Sequence, residues 1–395
     1  MLLEFDMAGK EKAKKAKKKE KAKVTERKEL SLNDKVKQLE EEISKTKYNK
    51  RTQHAIGLMK AKLAMLKERA VQRSSIGKAK GGERFSVRKT GDGSVILLGF
   101  PSVGKSTLLN KLTRAKSDVG AYAFTTLRVV PGLMKYKHAK IQIIDVPGIV
   151  SGAASGRGRG KEVLGIIRNA DLILILVEAL YPEHYRAILK EVYETGVRLN
   201  QEKPDVRITK KERGGVRVGA TVKLTKIDEK TIKDIAREMK INNADILIRN
   251  NIDADQLIDV IEGNRKYTKA LTIITKSDLV NKERLKKIKK EIEPDVIVSA
   301  ENGIGIEELR GAIYNKLGLV RIFLKEVNKP ADMEEPLIMF KGCTIKDVCS
   351  KLHRDFVDKF KFARVWGKSA KFDGQVFNKM GKELMDKDVL ELHMK

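Results

Sequence analysis

Cysteine is nearly absent from this 395-residue chain, which holds only Cys343 and Cys349. So few thiols argue against a disulfide scaffold or a cysteine-rich metal site, and they indicate a reducing compartment. Long apolar runs are missing too, since no stretch approaches the roughly eighteen residues that a membrane-spanning helix needs. The opening residues MLLEFD are too short and too acidic for a signal peptide. We therefore expect a cytoplasmic protein with no membrane association.

Acidic residues are also few relative to basic ones. Lys and Arg number 83 against 53 Asp and Glu, so the net charge is +30. Half of this excess falls within residues 1–90, which carry 27 basic and 12 acidic side chains. Such an imbalance favours a polyanionic partner: RNA, DNA or anionic lipid. The alternative is the charge-rich surface of a heat-adapted protein.

The hydrophobic pattern divides the chain into segments. Two amphipathic helices are predicted over 33–47 and 52–72, and short apolar runs alternating with helical patterns over 94–299 predict an α/β fold with a mostly parallel sheet. The segments are a basic flexible arm (1–30), a helical hairpin and linker (31–90), the first part of the α/β domain (91–180), an inserted α+β domain (181–268), the second part of the α/β domain (269–318) and a small α+β module (319–395).

The inserted segment has its own pattern. DVRITKKERGGVRVGATVKLT alternates polar and apolar residues around Gly214 and Gly215, which predicts an exposed β-hairpin. Helices are predicted to follow over 228–239 and 253–262.

A phosphate-binding loop follows the first apolar run. GFPSVGKST (99–107) matches G-x-x-x-x-G-K-[ST] between a predicted strand and a predicted helix. Its glycines let backbone amides close around a β-phosphate, and the helix N-terminus adds positive potential. We expect Lys105 to bridge the β- and γ-phosphates and Ser106 to bind Mg²⁺. The candidate nucleotide contacts of this loop are Gly99, Phe100, Pro101, Ser102, Val103, Gly104, Lys105, Ser106 and Thr107.

A γ-phosphate-sensing element is predicted at IIDVPG (143–148). Asp145 ends an apolar strand and can hold Mg²⁺ through water, while the Gly148 amide can contact a γ-phosphate. Upstream, YAFTTLR (122–128) must supply a Thr for Mg²⁺ and the γ-phosphate; Thr126 is the candidate and Thr125 the alternative. The candidate contacts of IIDVPG and its next residue are Asp145, Val146, Pro147, Gly148 and Ile149, and the candidate catalytic residues are Lys105, Thr126 and Gly148.

Two Thr-Lys-x-Asp quartets compete as the base-reading segment, in LTKID (224–228) and ITKSD (274–278). A base reader must leave the carboxyl end of a core strand, on the same rim of the sheet as the phosphate loop. The run before ITKSD is continuously apolar, as in a buried strand, whereas the run before LTKID alternates. A second apolar run follows ITKSD and leads to an amide that can face guanine O6. We therefore select 275–278, with the candidate contacts Thr275, Lys276, Ser277, Asp278, Ser299, Ala300 and Glu301.

The selected quartet has the chemistry to recognise guanine. Asp278 can accept hydrogen bonds from guanine N1 and N2, whereas the Watson–Crick edge of adenine has no N1–H donor. Lys276 is expected to pack along the base plane, and the Thr275 hydroxyl to make a tethering bond. The predicted ligand is GTP or GDP, and ATP is the alternative.

Five segments, in this order, resemble the Obg-related GTPases, and most closely the developmentally regulated GTP-binding protein family: GFPSVGKSTLLN, AFTTL, DVPGI, GNRKY and SAENGIGIEELR. The resemblance covers nearly the whole chain. It implies a Ras-like P-loop GTPase core, GTP hydrolysis, association with translating ribosomes and a regulatory protein partner of the family type. Through GCTIKDVCSKLH and ARVWGKSAKFDGQ, residues 319–395 are similar to a TGS domain, a β-grasp module.

Two positions depart from the family pattern. Thr275 replaces the usual Asn, which bears on base affinity rather than base identity, and LVEA (176–179) stands where Leu-Asp-Ala is more typical.

The residue that orients the attacking water is missing. Ile149 stands where Ras-like switches hold Gln, so intrinsic turnover should be slow. Arg157 or Arg159 can complete the site, with a basic loop facing RNA as the alternative. K⁺ is a further candidate, left open because Ser102 replaces the Asn of many potassium-activated GTPases.

Three questions stay open on sequence alone. The basic arm either contacts RNA phosphates or acts as a solubilising tail. Phe360, Phe362 and Trp366, near Arg364 and Lys368, either stack on bases or fill the core of the small module. The whole protein is either a GTPase switch or an RNA-binding adaptor that holds GTP structurally.

Overall fold

The computed structural model describes residues 32–75, 91–113, 130–145 and 167–394. These residues form two compact units. One joins the N-terminal helices to residues 203–265, and the other contains the remaining described residues. None of the described helices is both long enough and apolar enough to cross a membrane. The predicted arm 1–30 and the linker GKAKGG (77–82) lie outside the described ranges.

The N-terminal hairpin forms as predicted, with helices α1 (Leu32–Lys45) and α2 (Gln53–Ser75). The turn between them is closed by Asn49, whose side-chain Oδ1 accepts hydrogen bonds from the Arg51 and Thr52 amides at 2.9 Å. These bonds hold the backbone in the turn that leads into α2.

The main α/β domain is built in two parts. The first part contains β1 (Gly93–Leu98), α3 (Lys105–Thr113), β2 (Val130–Tyr136), β3 (Ala139–Asp145), β4 (Leu172–Glu178), α4 (His184–Glu194) and β5 (Val197–Leu199). An inserted set follows, with β6 (Val206–Lys210), β7 (Val216–Ala220), α5 (Glu229–Glu238), β8 (Ala244–Ile248) and α6 (Ala254–Glu262). The second part contains β9 (Lys266–Thr275), α7 (Lys282–Ile292), β10 (Val296–Ile297) and α8 (Ile306–Leu317).

The main sheet has the order β10-β9-β4-β1-β3-β2, with β5 beside β9. Every pairing is parallel except β2 with β3, which is the antiparallel hairpin expected from the sequence. Apolar clusters cover both faces, so the interior strands read as continuous hydrophobic runs. Because β1, β3, β4 and β9 run in the same direction, their carboxyl ends lie along one rim.

The inserted set differs from its prediction in two ways. First, β6 and β7 do not form a hairpin, because β8 lies between them, antiparallel to β6 and parallel to β7. Second, residues 181–202 belong with the main domain rather than the insertion: α4 contributes Ile188 and Val192 to the main core, and β5 pairs with β9. The predicted helices are confirmed as α5 and α6.

The C-terminal module has the predicted α+β composition. Its elements are β11 (Leu319–Lys325), β12 (Leu337–Phe340), α9 (Ile345–Leu352), α10 (Arg354–Asp358), β13 (Phe360–Trp366), β14 (Gln375–Phe377) and β15 (Asp388–Met394). The sheet order is β12-β11-β15-β13-β14, with a parallel central pair, β11 and β15. Cys343 and Cys349 are buried in its core as free thiols, and burial raises the pKa of Cys343 to about 11. Both therefore fill structural positions.

Candidate functional site

The phosphate loop joins β1 to α3 and depends on two glycines. A side chain at Gly99 would place its Cβ 2.9 Å from the Leu176 carbonyl oxygen, so only glycine fits against the neighbouring strand. Gly104 has φ +94°, a conformation that side-chain-bearing residues rarely adopt, and its Cβ direction faces open space. Glycine at these positions lets the backbone turn tightly before α3 begins.

Lys105 is the first residue of α3, and its side chain folds back over the loop. Its Nζ donates hydrogen bonds to the carbonyl oxygens of Gly99 and Phe100, at 3.0 and 2.9 Å. Burial lowers the pKa of Lys105, and the nearby Asp145 carboxylate opposes this only partly. The charged ammonium group is therefore less well solvated at the mouth of the loop than it would be in water.

Ser106 and Asp145 form the second part of the phosphate end. The Ser106 Oγ donates to Asp145 Oδ2 at 3.2 Å, across the gap between α3 and the end of β3. Asp145 Oδ1 is buried and has no hydrogen-bond partner among the described residues. Burial raises the pKa of Asp145, and Lys105 and Ser106 lower it by less. A hydroxyl oxygen beside a carboxylate with one unused buried oxygen is a donor set that fits Mg²⁺.

Thr275 ties the end of β9 to the phosphate loop. Its buried hydroxyl oxygen lies 2.9 Å from the Val103 carbonyl oxygen and 3.4 Å from the Val177 carbonyl oxygen. This is the tethering bond expected of Thr275. It connects the end of β9 to the phosphate loop, which follows β1, and to Val177, which lies near the end of β4.

Lys276 has a partner that sequence reasoning missed. Its Nζ lies 3.0 Å from Glu178 Oε1, at the end of β4, and the Glu178 side chain is only 12% exposed. Lys276 has φ +54°, a left-handed conformation that costs energy in a non-glycine residue. The only signal was the departure from the family pattern at LVEA, on the strand next to β9.

The remaining residues of the base-reading segment lie along the same edge. Asp278 is exposed in the short 3₁₀ turn Ser277–Leu279, and the Ser277 amide donates to the Val298 carbonyl at 3.3 Å. Ser299 is fully buried, and its backbone pairs with Ile304 in both directions. That pairing closes the loop that carries Ala300 and Glu301.

The competing quartet has a different role. Asp228 of LTKID is the N-cap of α5, where its carboxylate accepts a hydrogen bond from the Thr231 amide at 3.2 Å. Hydrogen bonding from Thr231, first from its side chain and then from its amide, lowers the pKa of Asp228. The residue lies in the other compact unit and satisfies a helix end, a local structural function.

A second missed feature is a stack of rings beside the loop. The Phe100 ring stacks on His184 at 4.0 Å, and His184 stacks on Tyr181 at 5.4 Å. The stack ties the phosphate loop to the start of α4. Several predicted residues lie outside the described ranges: Thr125, Thr126, Val146, Pro147, Gly148, Ile149, Arg157 and Arg159.

Family models match three consecutive parts of the chain. The model described as 50S ribosome-binding GTPase matches residues 94–211, the C-terminal region of that domain matches residues 213–319, and the TGS domain matches residues 320–394.

Relatives match over nearly the full length. An uncharacterized GTP-binding protein of Methanocaldococcus jannaschii is 50% identical, covering 93% of this chain and 94% of its own. The developmentally-regulated GTP-binding protein 2 homolog of Dictyostelium discoideum is 41% identical, over 92% and 99%. Developmentally-regulated GTP-binding protein 1 of Xenopus laevis is 40% identical, over 90% and 97%. Among solved structures, a GTP binding protein from Pyrococcus horikoshii aligns with 13% identity and a TM-score of 0.41, covering 76% of this chain and 100% of its own.

Proposed function

The chain belongs to the developmentally regulated GTP-binding protein family, and from this premise we propose that it hydrolyses GTP to GDP and phosphate, as a ribosome- or RNA-associated switch in translation. One observation carries the nucleotide part of the proposal. The rim that bears Lys105 and the Ser106–Asp145 pair is bonded through Val103 to Thr275, which begins the guanine-reading segment. A triphosphate and its base can therefore be held by one connected framework.

The electrostatics of the rim suit a ligand that brings negative phosphate groups and a positive metal ion together. Burial disfavours the charged forms of both Lys105 and Asp145. Phosphate oxygens would compensate the ammonium group, and Mg²⁺ would compensate the carboxylate. Ser106 and Asp145 would hold the ion, which neutralises charge on the β- and γ-phosphates when bound. Lys105 would exchange its two carbonyl contacts for phosphate oxygens.

At the base end, Asp278 would accept hydrogen bonds from guanine N1 and N2. Its exposure leaves the carboxylate open to a ligand, and Glu178 holds the neighbouring Lys276 ammonium in place. Ser299 closes the loop from which the Ala300 amide would reach guanine O6. Recognition of guanine by a carboxylate discriminates strongly, because adenine would leave Asp278 unpaired.

Hydrolysis needs a group beyond those of the described rim. Thr126 and Gly148 would contact the γ-phosphate, and Ile149 cannot orient a water molecule. Arg157, Arg159 or K⁺ are the candidates for completing the site. We therefore expect slow turnover by the isolated protein and faster turnover in its complex with a partner.

The RNA part of the proposal is supported by charge and by the matched models. The net charge is +30, and residues 10–28 hold eleven basic and three acidic side chains. A model described as ribosome-binding matches the GTPase segment. Phosphate contacts by Lys and Arg give affinity that falls steeply with salt. We also propose a cytoplasmic location and a regulatory protein partner of the family type.

Phosphate release under multiple turnover, with and without ribosomes, tests the enzymatic part. We expect slow release by the wild type, acceleration by ribosomes, and a loss of about 100-fold or more in Lys105→Ala. Release no greater than that of Lys105→Ala in both conditions would favour the adaptor that holds GTP without turning it over.

Sedimentation with ribosomes tests the switch. The protein is mixed with ribosomes in GTP analogue or in GDP across a salt series. We expect more protein in the pellet with the analogue, and a linear decline against the logarithm of salt concentration. Equal pelleting in both nucleotides at every salt concentration would rule out nucleotide control of ribosome binding.

A further inference from the structure

The sheet of the C-terminal module has two different faces. On one, α9 packs over apolar side chains that include Ile322, Ala363, Val365 and Leu390. On the other, β13 presents the alternate residues Phe362, Arg364 and Trp366, none of which joins that core. Side chains along a strand alternate between faces, so this division follows from the pleat.

A bulge in β13 explains why the Phe360 and Phe362 side chains lie on opposite faces of the sheet. The register of β13 against β15 shifts between these two residues. Phe360 packs against the module core, while Phe362 lies on the opposite face beside His393. One extra residue in a strand reverses the direction of the side chains beyond it. The core interpretation is therefore confirmed for Phe360, whereas Phe362 and Trp366 lie outside the core of the module.

The second face, which we call the β13–β15 face, consists of Lys325, Phe362, Arg364, Trp366, Glu391 and His393. Glu391 lies at its centre, directly across from Lys325 on one side and Arg364 on the other. Glu391 is 2% exposed; Lys325 donates to it, and His393 Nε2 lies 2.6 Å from its Oε1. Burial raises the pKa of Glu391, but the bonds from Lys325 and His393 outweigh burial, so the net pKa is lowered. Glu391 is therefore an internal counter-ion for Lys325 and also fixes the His393 ring.

Arg364 is held much less firmly. Its Nη1 lies 3.9 Å from Glu391 Oε1, beyond hydrogen-bond distance, and its side chain is 48% exposed. The segment 359–371 around it contains five basic residues and no acidic one. Glu391 is already hydrogen-bonded to Lys325 and His393. Because Lys325 and Arg364 outnumber this one carboxylate, the face carries an excess of positive charge that is open to an anionic ligand.

Aromatic rings lie between these charges. The Phe362 and His393 rings are stacked at 4.1 Å with an interplanar angle of 15°. Trp366 packs against Gly374, where an added Cβ would lie 3.3 Å from the indole nitrogen. The Lys325 Nζ lies 4.9 Å from the Trp366 ring centre. All three rings are half-buried, so each keeps part of its surface exposed.

One half of the same sheet face is already used inside the chain. Leu319 of β11 and Ile338 of β12 belong to the core of the main α/β domain. The β13–β15 face lies farther across the sheet and ends at the exposed Val376 of the edge strand. On this side of the sheet, β11 and β12 therefore pack against the main domain, whereas no described residues cover the β13–β15 face.

We propose that the β13–β15 face binds unpaired nucleotides of RNA, with Phe362 and Trp366 contacting bases and Arg364 contacting the adjoining phosphate. Stacking requires bases that have left a duplex, and rings interleaved with cations on an open sheet provide both contacts. A duplex would offer phosphates but hide its base faces. The inference deepens the proposed RNA association and rests on it.

Trp366 makes the proposal directly testable, because it is the only tryptophan in the chain. The full chain is titrated with a twelve-nucleotide single-stranded RNA and with a duplex of the same length, and tryptophan emission is recorded. We expect the single strand to quench the emission and the duplex to quench it weakly. Equal quenching by both RNAs would overturn the assignment to unpaired nucleotides. Equal quenching by polyglutamate would point to an acidic protein partner and overturn the RNA assignment.

Variants that keep Trp366 locate the site. Arg364→Glu and Phe362→Leu should each weaken the quenching interaction by about tenfold. Lys346→Glu, an exposed position on α9 over the opposite face, is the charge-matched control and should change it less than twofold. Thermal unfolding of each variant checks that the module remains folded. If folded Arg364→Glu and Phe362→Leu bind like Lys346→Glu, the face is not the site.

The same variants separate this inference from the proposed function. Their intrinsic GTP turnover should equal that of the wild type, because the face lies outside the nucleotide site. Loss of quenching in these variants with intact turnover would leave the proposed GTPase function in place and assign an RNA contact to this face. Failure of the wild type to sediment with ribosomes, while single-strand quenching persists, would overturn the ribosome proposal and leave this binding face standing.

Discussion

The Thr275 hydroxyl oxygen lies 2.9 Å from the carbonyl oxygen of Val103, so the segment 275–278, proposed to read guanine, is bonded to the phosphate loop. Asn is the usual residue at this position in the family that the sequence resembles. A threonine hydroxyl has one donor, and here it is directed at the loop, with the Val177 carbonyl as a second, longer contact. The substitution therefore preserves a link between the two ends of the nucleotide site.

Removing this link should weaken nucleotide binding without changing which base is bound. Thr275→Val keeps the shape of the side chain but leaves the buried Val103 carbonyl without that donor. An unsatisfied buried acceptor costs about 1–3 kcal/mol, which corresponds to about a 5- to 150-fold loss of GDP affinity. Fluorescent GDP titration measures the loss. Thr275→Asn should restore most of the affinity, and a Thr275→Val protein with wild-type affinity would show that the bond is dispensable.

Asp278 should determine the identity of the base. Asp278→Asn replaces one of the two acceptor oxygens by an NH₂ donor, so guanine N2–H loses its partner while the O2 of xanthine gains one. We expect GDP affinity to fall by about 100-fold or more and XDP binding to appear. The matched control is Asp228→Asn in LTKID, which keeps the cap of α5 because Asn caps helices as well as Asp does. Similar GDP affinities in the two variants would contradict our choice between the quartets.

Glu178 should act through Lys276. The pair is separated by 3.0 Å, with Glu178 12% and Lys276 33% exposed, so solvent screens it only partly. Glu178→Ala frees the Lys276 ammonium and should lower GDP affinity about fivefold, or about 1 kcal/mol. Glu178→Asp, which brings the residue closer to the family pattern, should lose less than Glu178→Ala. Equal losses in the two variants would indicate a packing role for Glu178 rather than a charge partnership.

The rim of the nucleotide site was predictable because few arrangements satisfy its sequence. Long apolar runs before Gly99, Asp145 and Thr275 demand burial on both faces of a parallel sheet, and parallel strands bring their carboxyl ends to one edge. The contact between Glu178 and Lys276 was not predictable in the same way. It depends on which strands are neighbours, and residue spacing within one chain does not encode that order.

The inserted sheet shows the limit of turn-based reasoning. Gly214 and Gly215 both have positive φ, as a hairpin turn would require, yet the strands on either side are separated by β8. The short ADILI run (244–248) forms the central strand between β6 and β7, because Ile246 and Ile248 contribute to an apolar core beneath the sheet. Pairing between distant strands is decided by shared burial, which outweighs the local preference of the turn.

Asp386 should make the stability of the C-terminal module depend on pH. Its Oδ1 accepts from the Arg321 amide at 2.8 Å, and its Oδ2 accepts from Arg321 Nη2 at 2.7 Å. Hydrogen bonding to Arg321 holds the pKa of Asp386 below its ordinary value. A lowered carboxyl pKa contributes stability that is complete above the ordinary value, about 4, and is lost as the pH falls through the folded value.

Asp386→Asn should therefore cost about 1 kcal/mol at neutral pH and little in acid, where the wild type has lost the same contribution. Urea unfolding at pH 7 and near pH 3 measures both. Asp373→Asn, an exposed position in the same module, is the control and should leave both values unchanged. A destabilisation by Asp386→Asn of equal size at the two pH values would exclude an ionisation effect.

Asp145 should oppose stability in the absence of a ligand. Burial raises the pKa of Asp145 above its ordinary value, and one of its oxygens has no partner among the described residues. A raised carboxyl pKa means that stability declines as the pH rises from the ordinary value through the folded one, because the folded state must then bury a charge. Asp145→Asn removes that cost and should raise the Tm of the nucleotide-free protein by a few degrees at neutral pH.

The same substitution should abolish Mg²⁺-dependent nucleotide binding, since an amide is a poor ligand for the ion compared with a carboxylate. We expect GTP affinity in Mg²⁺ to fall to the value measured in EDTA, while Tm rises. Ser106→Ala should also lower GTP affinity in Mg²⁺, but it should not raise Tm. It leaves the buried Asp145 charge in place and removes the only hydrogen-bond donor to Asp145 among the described side chains. Opposite changes in stability and binding are typical of a residue retained for a ligand rather than for the fold. If Asp145→Asn instead lowered both, the carboxylate would be a structural group of β3, and the assignment of Mg²⁺ to this pair would fail.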